Sequence, residues 1–348
     1  MKSLQLVPVC AFLLFSFSGC SNPNESIPPD NTPPGSRDYV WTVDTLKTDE
    51  SFYVTAMWGS SSEDVWAVGS SSRSATTIWH YNGKQWSYDD IYRQIDPTGI
   101  WGFSNNEVWL VNSNGRIWKY DGFSWKQFGF YTLPNYERLV FQDVYGTSPD
   151  NVYAFGHAEI FKGDNSKYEA ILMHYDGSKW SLVDIPKVKL TLTQMRVDQE
   201  TNTLIFKAFT VTDDHRIIDK VLTWNGTEFN ELVSGKMCGI VGIKGKVYVT
   251  IENKMYRYNK GNLEYWIERP GIMYFGMIWG ARNMKDFFHS IFGGIDHYNG
   301  SDFKVLYKTD LDVYYGFVLE KDVYFTYQNK NTRKNIVIHG KLKETIKE

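Results

Sequence analysis

The sequence predicts an all-β protein: a seven-bladed β-propeller of four-stranded antiparallel blades, closed by an N-terminal strand that completes the last blade. Three observations carry this prediction. A unit of similar sequence recurs about every 40–45 residues. Each unit holds short β-rich runs separated by turn residues. Aromatic residues make up 16% of the 348 residues, a content that favours strands and excludes a disordered chain.

The first strand of each unit is predicted where a short apolar run ends in a large residue followed by glycine. These pairs are Trp58-Gly59, Trp101-Gly102, Tyr145-Gly146, Val241-Gly242, Trp279-Gly280 and Tyr315-Gly316, with a degenerate counterpart near Val197. A second β-rich run follows about six residues later, as in Val65-Trp66-Ala67-Val68. Most of the repeated aromatic residues, including Trp58, Trp66, Trp101 and Trp109, are predicted to fill the space between neighbouring blades.

The third and fourth strands are predicted on either side of a tight turn. The turns are Tyr81-Asn82-Gly83, Tyr120-Asp121-Gly122, Tyr175-Asp176-Gly177, Trp224-Asn225-Gly226 and Tyr298-Asn299-Gly300. Asn-Gly and Asp-Gly between apolar runs indicate hairpins in which both central residues take positive φ. Soon after each glycine an aromatic residue is predicted to open the fourth strand: Trp86, Trp125, Trp180, Phe229 and Phe303.

The seventh unit ends at residues 336–342 without a fourth strand of its own. The segment Tyr39-Val40-Trp41-Thr42-Val43 has the sequence of that missing strand, with Trp41 at the place of Trp86 and Trp125. Chain start and chain end are therefore predicted to share one blade, which removes two exposed sheet edges.

The N-terminal segment predicts export. Residues 1–19 read as a signal peptide, because Lys2 precedes an apolar run over residues 4–17 that is shorter than a membrane span. Residues 20–38 are rich in proline and polar residues and are predicted to form a semi-extended tether. Residues 39–348 then form the propeller domain.

The sequence Phe17-Ser18-Gly19-Cys20 resembles the lipobox of bacterial lipoproteins. The resemblance implies that Cys20 receives diacylglycerol, becomes the N-terminus after cleavage and is acylated again, for example with palmitate. Several acyl chains give stable anchoring to a membrane. Ser21 stands where an aspartate would retain such proteins in the inner membrane, so the outer membrane of a bacterial cell envelope is favoured, with the leaflet left open.

The repeats carry two further resemblances. Trp58-Gly59-Ser60-Ser61, followed by residues 64–69, is similar to the tryptophan-rich propeller repeats of secreted bacterial proteins, often lipoproteins, and this similarity covers nearly the whole mature chain. Residues 98–128 are also similar to tectonin repeats. Tectonins form propellers, and some are lectins for bacterial surface glycans, so this second resemblance implies a possible carbohydrate-binding role.

The net charge and the number of cysteines argue against several other classes of protein. A net charge of −3 argues against nucleic acid as a partner. Cys10 is lost with the signal peptide and Cys20 is predicted to carry lipid. Cys238 is then the one cysteine with a free thiol, so no internal disulfide is predicted. No spacing of His or Cys indicates a metal site, and neither a cofactor nor a catalytic group is predicted. The histidines that recur beside the turns, His80, His174 and His297, with His339 near the same place and Lys119 in another blade, are predicted to be scaffold.

The long and dissimilar loops all fall on one predicted face of the propeller, where the second-to-third loops and the inter-blade connections emerge. They comprise residues 70–77, 89–97, 131–139, 156–170, 210–219, 269–274 and 328–335. Variable loops on a rigid scaffold commonly carry binding. The candidate binding residues there are the Tyr and Arg outside the repeat pattern: Arg73, Tyr92, Arg93, Tyr131, Tyr136, Arg138, Tyr168, Arg216, Arg269, Tyr274 and Arg333.

These observations favour a lipid-anchored, non-enzymatic binding module that presents this loop face to a partner, an envelope protein or a glycan. The alternative is a tectonin-like lectin or a glycan-active enzyme that uses the same face and the mouth of the central channel. The propeller fold hosts both kinds of function and does not decide between them.

Overall fold

The computed structural model describes residues 33–161, 167–275, 277–309 and 312–343. The predicted signal peptide, the lipidation site Cys20 and the first part of the predicted tether lie outside these residues. Within them, no helix is long and apolar enough to cross a membrane.

The chain forms seven four-stranded antiparallel sheets, which we number as blades in chain order. Blade 1 holds β2 (Phe52–Ser61), β3 (Asp64–Ser71), β4 (Ile78–Tyr81) and β5 (Trp86–Ser87). Blade 2 holds β6 (Pro97–Ser104), β7 (Glu107–Asn112), β8 (Arg116–Tyr120) and β9 (Trp125–Phe130), and blade 3 holds β10 (Arg138–Ser148), β11 (Asn151–Ile160), β12 (Lys167–Tyr175) and β13 (Trp180–Leu182). Blade 4 holds β14 (Thr191–Asp198), β15 (Thr203–Val211), β16 (Ile217–Trp224) and β17 (Phe229–Ser234). Blade 5 holds β18 (Cys238–Ile243), β19 (Lys246–Ile251), β20 (Lys254–Asn259) and β21 (Asn262–Glu268), and blade 6 holds β22 (Ile278–Asn283), β23 (Asp286–Ile291), β24 (Gly294–Tyr298) and β25 (Phe303–Lys308). Blade 7 holds β26 (Tyr315–Val318), β27 (Asp322–Gln328), β28 (Asn335–Leu342) and β1 (Tyr39–Thr45).

The seven-bladed propeller and its closure are both confirmed. The N-terminal strand β1 pairs with β28, from Tyr39 opposite Leu342 to Thr45 opposite Ile336, and is the outermost strand of blade 7. Trp41 lies opposite Gly340 as Trp86 lies opposite Tyr81 in blade 1. The prediction that Trp41 occupies the place of the fourth-strand tryptophans is therefore correct.

The first strands of the blades contact one another in turn around a closed ring and enclose a central channel. We call the end of the channel where these strands begin the upper face; the second-to-third loops and the inter-blade connections lie there. The opposite end is the lower face. The chain enters blade 7 from the lower face, where the Gly35 N–H donates to the Lys285 carbonyl at 3.0 Å and Arg37 pairs with Asp302 at 2.7 Å. The last residues of the predicted tether are thus docked on blade 6.

The repeated aromatic residue of the second strand packs into the next blade. Trp66 of blade 1 contacts Trp125 of blade 2, with ring centroids 5.3 Å apart. Trp109 of blade 2 contacts Tyr175 and Trp180 of blade 3 at 4.8 and 5.4 Å. Both tryptophans are buried. Each fills the wedge between neighbouring blades, as the repeat predicted, and apolar burial there stabilises the ring.

The recurring histidines stabilise individual blades. His80 binds Asp64 at 2.7 Å and stacks on Trp66 with centroids 4.0 Å apart, which joins the third strand to the start of the second. The same arrangement recurs in the pairs His174–Asn151, His297–Asp286 and His339–Asp322, and as an ion pair in Lys119–Glu107. Burial lowers the pKa of His174 and His297. These contacts agree with the predicted scaffold role.

In several blades the glycine after the first-strand aromatic residue is explained by close approach of the neighbouring blade, whereas at Gly316 the close atoms belong to Phe325 and Tyr324 of the same blade. A Cβ atom on Gly102 would lie 2.7 Å from the ring of Trp58, and one on Gly146 would lie 2.6 Å from Phe103. Only glycine lets these rings lie flat against the adjacent first strand. The aromatic-glycine repeat therefore records contacts between blades.

The third-to-fourth turns differ from the prediction in their geometry. In the Asn-Gly and Asp-Gly turns only the glycine takes positive φ, +84° at Gly83 and +92° at Gly122, whereas in the blade 5 turn Lys260 and Gly261 both do. The preceding side chain instead accepts backbone hydrogen bonds: Asn82 Oδ1 accepts from the N–H groups of Lys84 and Gln85 at 3.1 Å. The turn is thus a four-residue Asx-type loop, because the side-chain oxygen replaces the backbone acceptor.

Two segments predicted as loops are partly strand. In blade 3, residues 156–160 belong to β11 and residues 167–170 to β12, with pairing out to Ile160 opposite Lys167. In blade 4, residues 210–211 belong to β15 and residues 217–219 to β16, with Val211 opposite Ile217. Cross-strand pairing satisfies the backbone of these strand ends.

A candidate binding site at the mouth of the channel

The channel opens on the upper face into a cavity of about 400 Å³. It is lined by Tyr53, Val54, Thr55, Thr98, Gln142, Asp143, Thr193, Gln194, Lys207, Phe209, Asp219, Met277, Tyr314 and Tyr315. A smaller neighbouring cavity shares Gln194, Lys207, Asp219 and Met277 and extends towards blades 5 and 6. We call these two connected cavities the mouth. It combines aromatic, thioether, amide and charged groups, as ligand sites do.

β-Bulges near the upper ends of the first strands shape the mouth. The pairing register shifts around Thr55, Thr98 and Gln142 in blades 1, 2 and 3. The Thr55 hydroxyl donates to the Pro97 carbonyl at 2.8 Å, and the Thr98 hydroxyl donates to the Phe141 carbonyl at 2.6 Å. The bulges at Thr55 and Thr98 therefore connect one blade to the next, and all three bulges break the alternation of the strand, as bulges at functional sites often do.

Asp143 is the central charge of the mouth. Its carboxyl group fits because residue 99 is glycine: a Cβ there would lie 2.4 Å from Asp143 Oδ1. Burial raises the pKa of Asp143 to about 7, while the Val144 N–H and the charge of Arg196 act in the opposite direction. Among the described residues no cationic side chain forms an ion pair with Asp143, and its recorded hydrogen bond is the one from the Val144 N–H, at 2.8 Å.

Asp143→Asn is expected to change how stability depends on pH. In the folded state Asp143 keeps its proton up to about pH 7, whereas the unfolded chain releases it near pH 3.8. Burial of this group therefore costs stability progressively as pH rises between these values, at about 1.4 kcal/mol per pKa unit. Denaturant unfolding at pH 4, 5.5 and 7.5 checks this. The stability of the variant relative to the natural chain is expected to increase as pH rises. An equal difference in unfolding free energy at all three pH values contradicts the raised pKa of Asp143.

Below the mouth the channel is lined by an aromatic belt, which we define as Trp58, Trp101, Tyr145, Trp279 and Tyr315. The rings contact across blades, with centroids 4.7 Å apart for Trp101 and Tyr145 and 5.3 Å apart for Trp279 and Tyr315. All five are half-buried. The prediction that Trp58 and Trp101 only fill the core is thus incomplete, because each also presents ring surface to the channel.

Blade 4 departs from this aromatic pattern. Arg196 occupies the equivalent place, and its guanidinium lies 5.1 Å from the centroid of Tyr145. It donates to the Met195 carbonyl at 2.6 Å. The degenerate repeat seen near Val197 in the sequence therefore introduces a positive charge into the channel wall.

The side of the mouth near blades 4 and 5 holds a mostly buried ion pair. Lys207 and Asp219 lie 3.8 Å apart. Burial first, and then the negative charge of Asp219, raise the pKa of the nearby Cys238 thiol to about 11. Cys238 therefore stays protonated and acts as an apolar lining group.

In the part of the chain that the structure describes, exposed apolar side chains occur on the outermost strands of the blades, at Val40, Val43, Phe128, Phe130, Leu182 and Tyr265, and in larger number on the upper face. Those on its loops and strand ends are Tyr53, Ile91, Tyr92, Phe161, Ile217, Met237, Met273, Tyr274 and Phe292. Among the described residues, Phe123 is the corresponding exposed side chain on a lower-face turn. Tyr274 and Met237 belong to the lining of the mouth itself. Grouped exposed apolar surface is typical of a binding face.

The sequence-predicted binding residues are distributed around the upper face, and only Tyr274 lines the mouth. Four arginines are held by neighbouring carboxylates: Arg73 by Asp90, Arg138 by Glu159, Arg216 by Asp214 and Arg269 by Asp296. Arg93 is 7% exposed and binds Asp89 through two contacts at 2.8 and 2.5 Å. Arg93 therefore stabilises the conformation of its own loop, and little of its side chain is exposed to a partner.

The predicted tyrosines, and Arg333 with them, are either engaged in contacts within the protein or exposed. Tyr131 and Tyr136 pack on the core between blades 2 and 3, and Tyr136 donates to Glu169, a hydrogen bond that together with burial raises its pKa to about 12. The Tyr168 hydroxyl accepts from the Val211 N–H at 2.6 Å. Tyr92 is 72% exposed, and Arg333 is exposed at a positive φ of 54°.

Sequence reasoning missed the polar residues of the mouth because it searched the loops. A signal was present in the repeat. A polar residue stands three positions before the aromatic residue or arginine of the first strand in Thr55, Thr98, Gln142 and Thr193. A recurring polar residue inside a buried strand indicates a channel-facing position.

No known protein family and no curated protein matches the chain. Solved structures do match. A structure described as "YCF48 bound to D1 peptide" aligns with a TM-score of 0.60 at 13% identity, over 90% of this chain and 100% of that one. YCF48 from Cyanidioschyzon merolae aligns with a TM-score of 0.55 at 10% identity, covering 86% and 98%. The WD40 propeller domain of Doa1 aligns with a TM-score of 0.54 at 11% identity, covering 86% and 97%. At these identities the likeness concerns the fold.

Proposed function

We propose that this chain is a lipid-anchored bacterial envelope protein whose upper face binds a protein partner without catalysing a reaction. The exposed apolar side chains of the upper face, of which Tyr53, Met237 and Tyr274 line the mouth, carry the proposal. The lipid anchor rests on the lipobox resemblance at Cys20. The described chain reaches the propeller at its lower face, opposite the proposed binding surface.

Two kinds of side chain in and around the mouth suit a protein ligand. Met237, Met273 and Met277 supply adaptable apolar contact, and Tyr53 and Tyr274 supply rigid amphipathic rings. Such residues commonly anchor protein interfaces. The structural neighbour described as bound to a peptide supports the proposal by analogy of fold.

The test is capture of partners from an envelope extract of the source cells by the full-length chain, purified in detergent. The variant Met237→Glu/Tyr274→Glu places two charges at the mouth on side chains that are 53% and 45% exposed. Phe123→Glu on the lower face, 93% exposed, is the matched control. We expect the mouth variant to lose a specific partner at least about tenfold, or about 1.4 kcal/mol, and the control to retain it. The opposite pattern contradicts the proposal.

Carbohydrate binding is a second candidate, favoured by one groove. Between β1 and β5, a polar cleft of about 650 Å³ is lined by Asp44, Lys84, Gln85, Trp86 and Tyr88, among others. Aromatic rings beside polar groups suit a sugar. Saturable binding on a glycan array that is lost in Trp86→Ala and kept in the mouth variant assigns the ligand to this groove instead.

A further inference from the structure

The mouth and the aromatic belt meet at one place in the channel. Asp143 and Tyr315 line both the upper cavity and the belt, as do Gln194 and Met277. A group that enters from the upper face therefore reaches the Asp143 carboxyl group beside the aromatic belt. We call this junction the channel site.

The polar groups at the channel site, the Asp143 carboxyl and the Gln194 side-chain amide, suit a ligand that donates hydrogen bonds. The Asp143 carboxyl has no cationic partner among the described residues. The Gln194 Oε1 atom is buried and accepts no hydrogen bond from them, while Gln194 Nε2 makes only a long contact, 4.0 Å, with the sulfur of Met277. Both oxygens are acceptors, and a buried acceptor left without a donor is costly.

The surrounding rings favour a positive charge on that donor. Trp101, Tyr145, Trp279 and Tyr315 border the channel site, and Trp58 completes the belt. The face of an aromatic ring attracts a cation within about 6 Å. The structure already contains one such contact, because the Arg196 guanidinium lies 5.1 Å from the Tyr145 centroid.

Arg196 weighs against a cation, since it is the positive charge of this part of the channel. Its guanidinium is engaged by the Met195 carbonyl and by Tyr145, and it forms no ion pair with Asp143. Despite its presence the pKa of Asp143 is raised to about 7 by burial. Arg196 therefore opposes the raised pKa of Asp143 without contacting its carboxyl group, so that group has room for direct contact with a cation in the channel.

We infer that the channel site binds an alkylammonium group, such as the end of a lysine side chain that the proposed protein partner inserts through the mouth. The inference deepens the proposed function, and its lysine source rests on that function. The ammonium donates hydrogen bonds to Asp143 and Gln194, while its alkyl stem lies against the aromatic belt and Met277.

The inference is tested on the full-length chain in detergent by ligand-observed NMR titration with n-butylammonium. The matched probes are n-butanol, which lacks the charge, and butyrate, which reverses it. We expect saturable binding of the ammonium with a dissociation constant in roughly the millimolar range, because the probe is small, and at least about tenfold weaker binding of the other two. Equal binding of n-butanol, or tighter binding of butyrate, overturns the inference.

Two variants make opposite predictions, so that a folding defect in one leaves the test intact. Asp143→Asn is expected to weaken n-butylammonium binding at least about tenfold. Arg196→Gln removes the competing charge and, at a pH well above the pKa of Asp143 where the carboxyl group stays ionised, is expected to strengthen binding about threefold. Asp213→Asn, a fully exposed carboxylate on an upper-face loop, is the matched control and leaves the affinity unchanged. Unchanged affinity in both Asp143→Asn and Arg196→Gln overturns the inference.

The pH dependence gives a third readout. Asp143 is faced by Arg196 on β14, by Tyr315 on β26 and, at the mouth, by Lys207 and Asp219 on β15 and β16. Since the ionised fraction of a group with a pKa of about 7 rises about tenfold from pH 6 to pH 8, affinity for the ammonium rises by up to about that factor. A flat profile contradicts the inference.

The outcomes separate this inference from the proposed function. Partner capture that depends on Met237 and Tyr274, without n-butylammonium binding, retains the protein-binding face and removes the channel site. If n-butylammonium binds but no partner is captured, the channel site is supported and the proposal that a partner's lysine fills it is rejected.

Discussion

Replacing Trp109 with alanine is expected to lower the free energy of unfolding by about 3–5 kcal/mol. The side chain is fully buried and touches Tyr175 and Trp180 of the next blade as well as Phe128 of its own. Its ring also lies 4.7 Å from the ammonium of Lys119. Truncation leaves a cavity between blades 2 and 3 that the surrounding strands cannot close, because they are fixed by their own sheets.

Chemical denaturation followed by far-UV circular dichroism measures this loss. Phe123→Ala, which removes an aromatic ring that is 93% exposed, is the matched control and is expected to change stability by less than about 0.5 kcal/mol. Equal losses of unfolding free energy in Trp109→Ala and Phe123→Ala would show that Trp109 does not hold the blades together.

Deletion of residues 39–45 is expected to have a larger effect still, a loss of at least about 5 kcal/mol together with self-association. The deletion removes the whole β1 ladder and exposes the edge of β28. It also removes Tyr39, which is buried against Phe288 and whose hydroxyl accepts from Arg282 at 2.8 Å. An unpaired edge strand of this length is a template for pairing with another chain.

Size-exclusion chromatography and thermal unfolding of the deleted chain measure both consequences. A synthetic peptide of residues 33–47, added in trans, is expected to restore the monomer and raise the melting temperature. Val43→Ser, on an exposed face of β1, is the control that keeps the ladder. A deleted chain that stays monomeric with an unchanged melting temperature contradicts closure by β1.

The repeat made the propeller predictable because its aromatic residues record contacts between blades. Trp41 could be assigned to the seventh blade from sequence alone, since it matched Trp86 and Trp125 in local pattern. The structure gives the physical reason: Trp86 and Trp125 open a fourth strand opposite the last residue of the third, and Trp41 lies near the start of β1 opposite Gly340, near the end of β28. Patterns set by local pairing are visible in one sequence.

Turn geometry was harder to predict, because two solutions share the same residues. Asn82-Gly83 suits a two-residue hairpin with both residues at positive φ, and it also suits a four-residue loop in which Asn82 accepts two N–H groups. The structure adopts the second. The pairing of Tyr81 with Trp86 fixes the loop length, and that register is a property of the blade.

The candidate site was the least predictable feature. Asp143 in blade 3 is distant in sequence from Gln194 and Arg196 in blade 4, and it becomes their neighbour only when these two blades pack together around the channel. The space for Asp143 also depends on Gly99 of a different blade. The loop arginines, in contrast, looked available in the sequence, and the structure shows several held by adjacent carboxylates. Chain-local reasoning does not reveal such pairings.

The most direct test of the central claim, that the upper face binds the partner, is site-specific photo-crosslinking in the source cells. A photoreactive amino acid replaces either Tyr274 at the mouth or Phe123 on the lower face, both exposed positions. The account predicts a discrete crosslinked protein from position 274, lost when Met237→Glu is added, and none from position 123. A discrete adduct from position 123 with none from position 274 would contradict it.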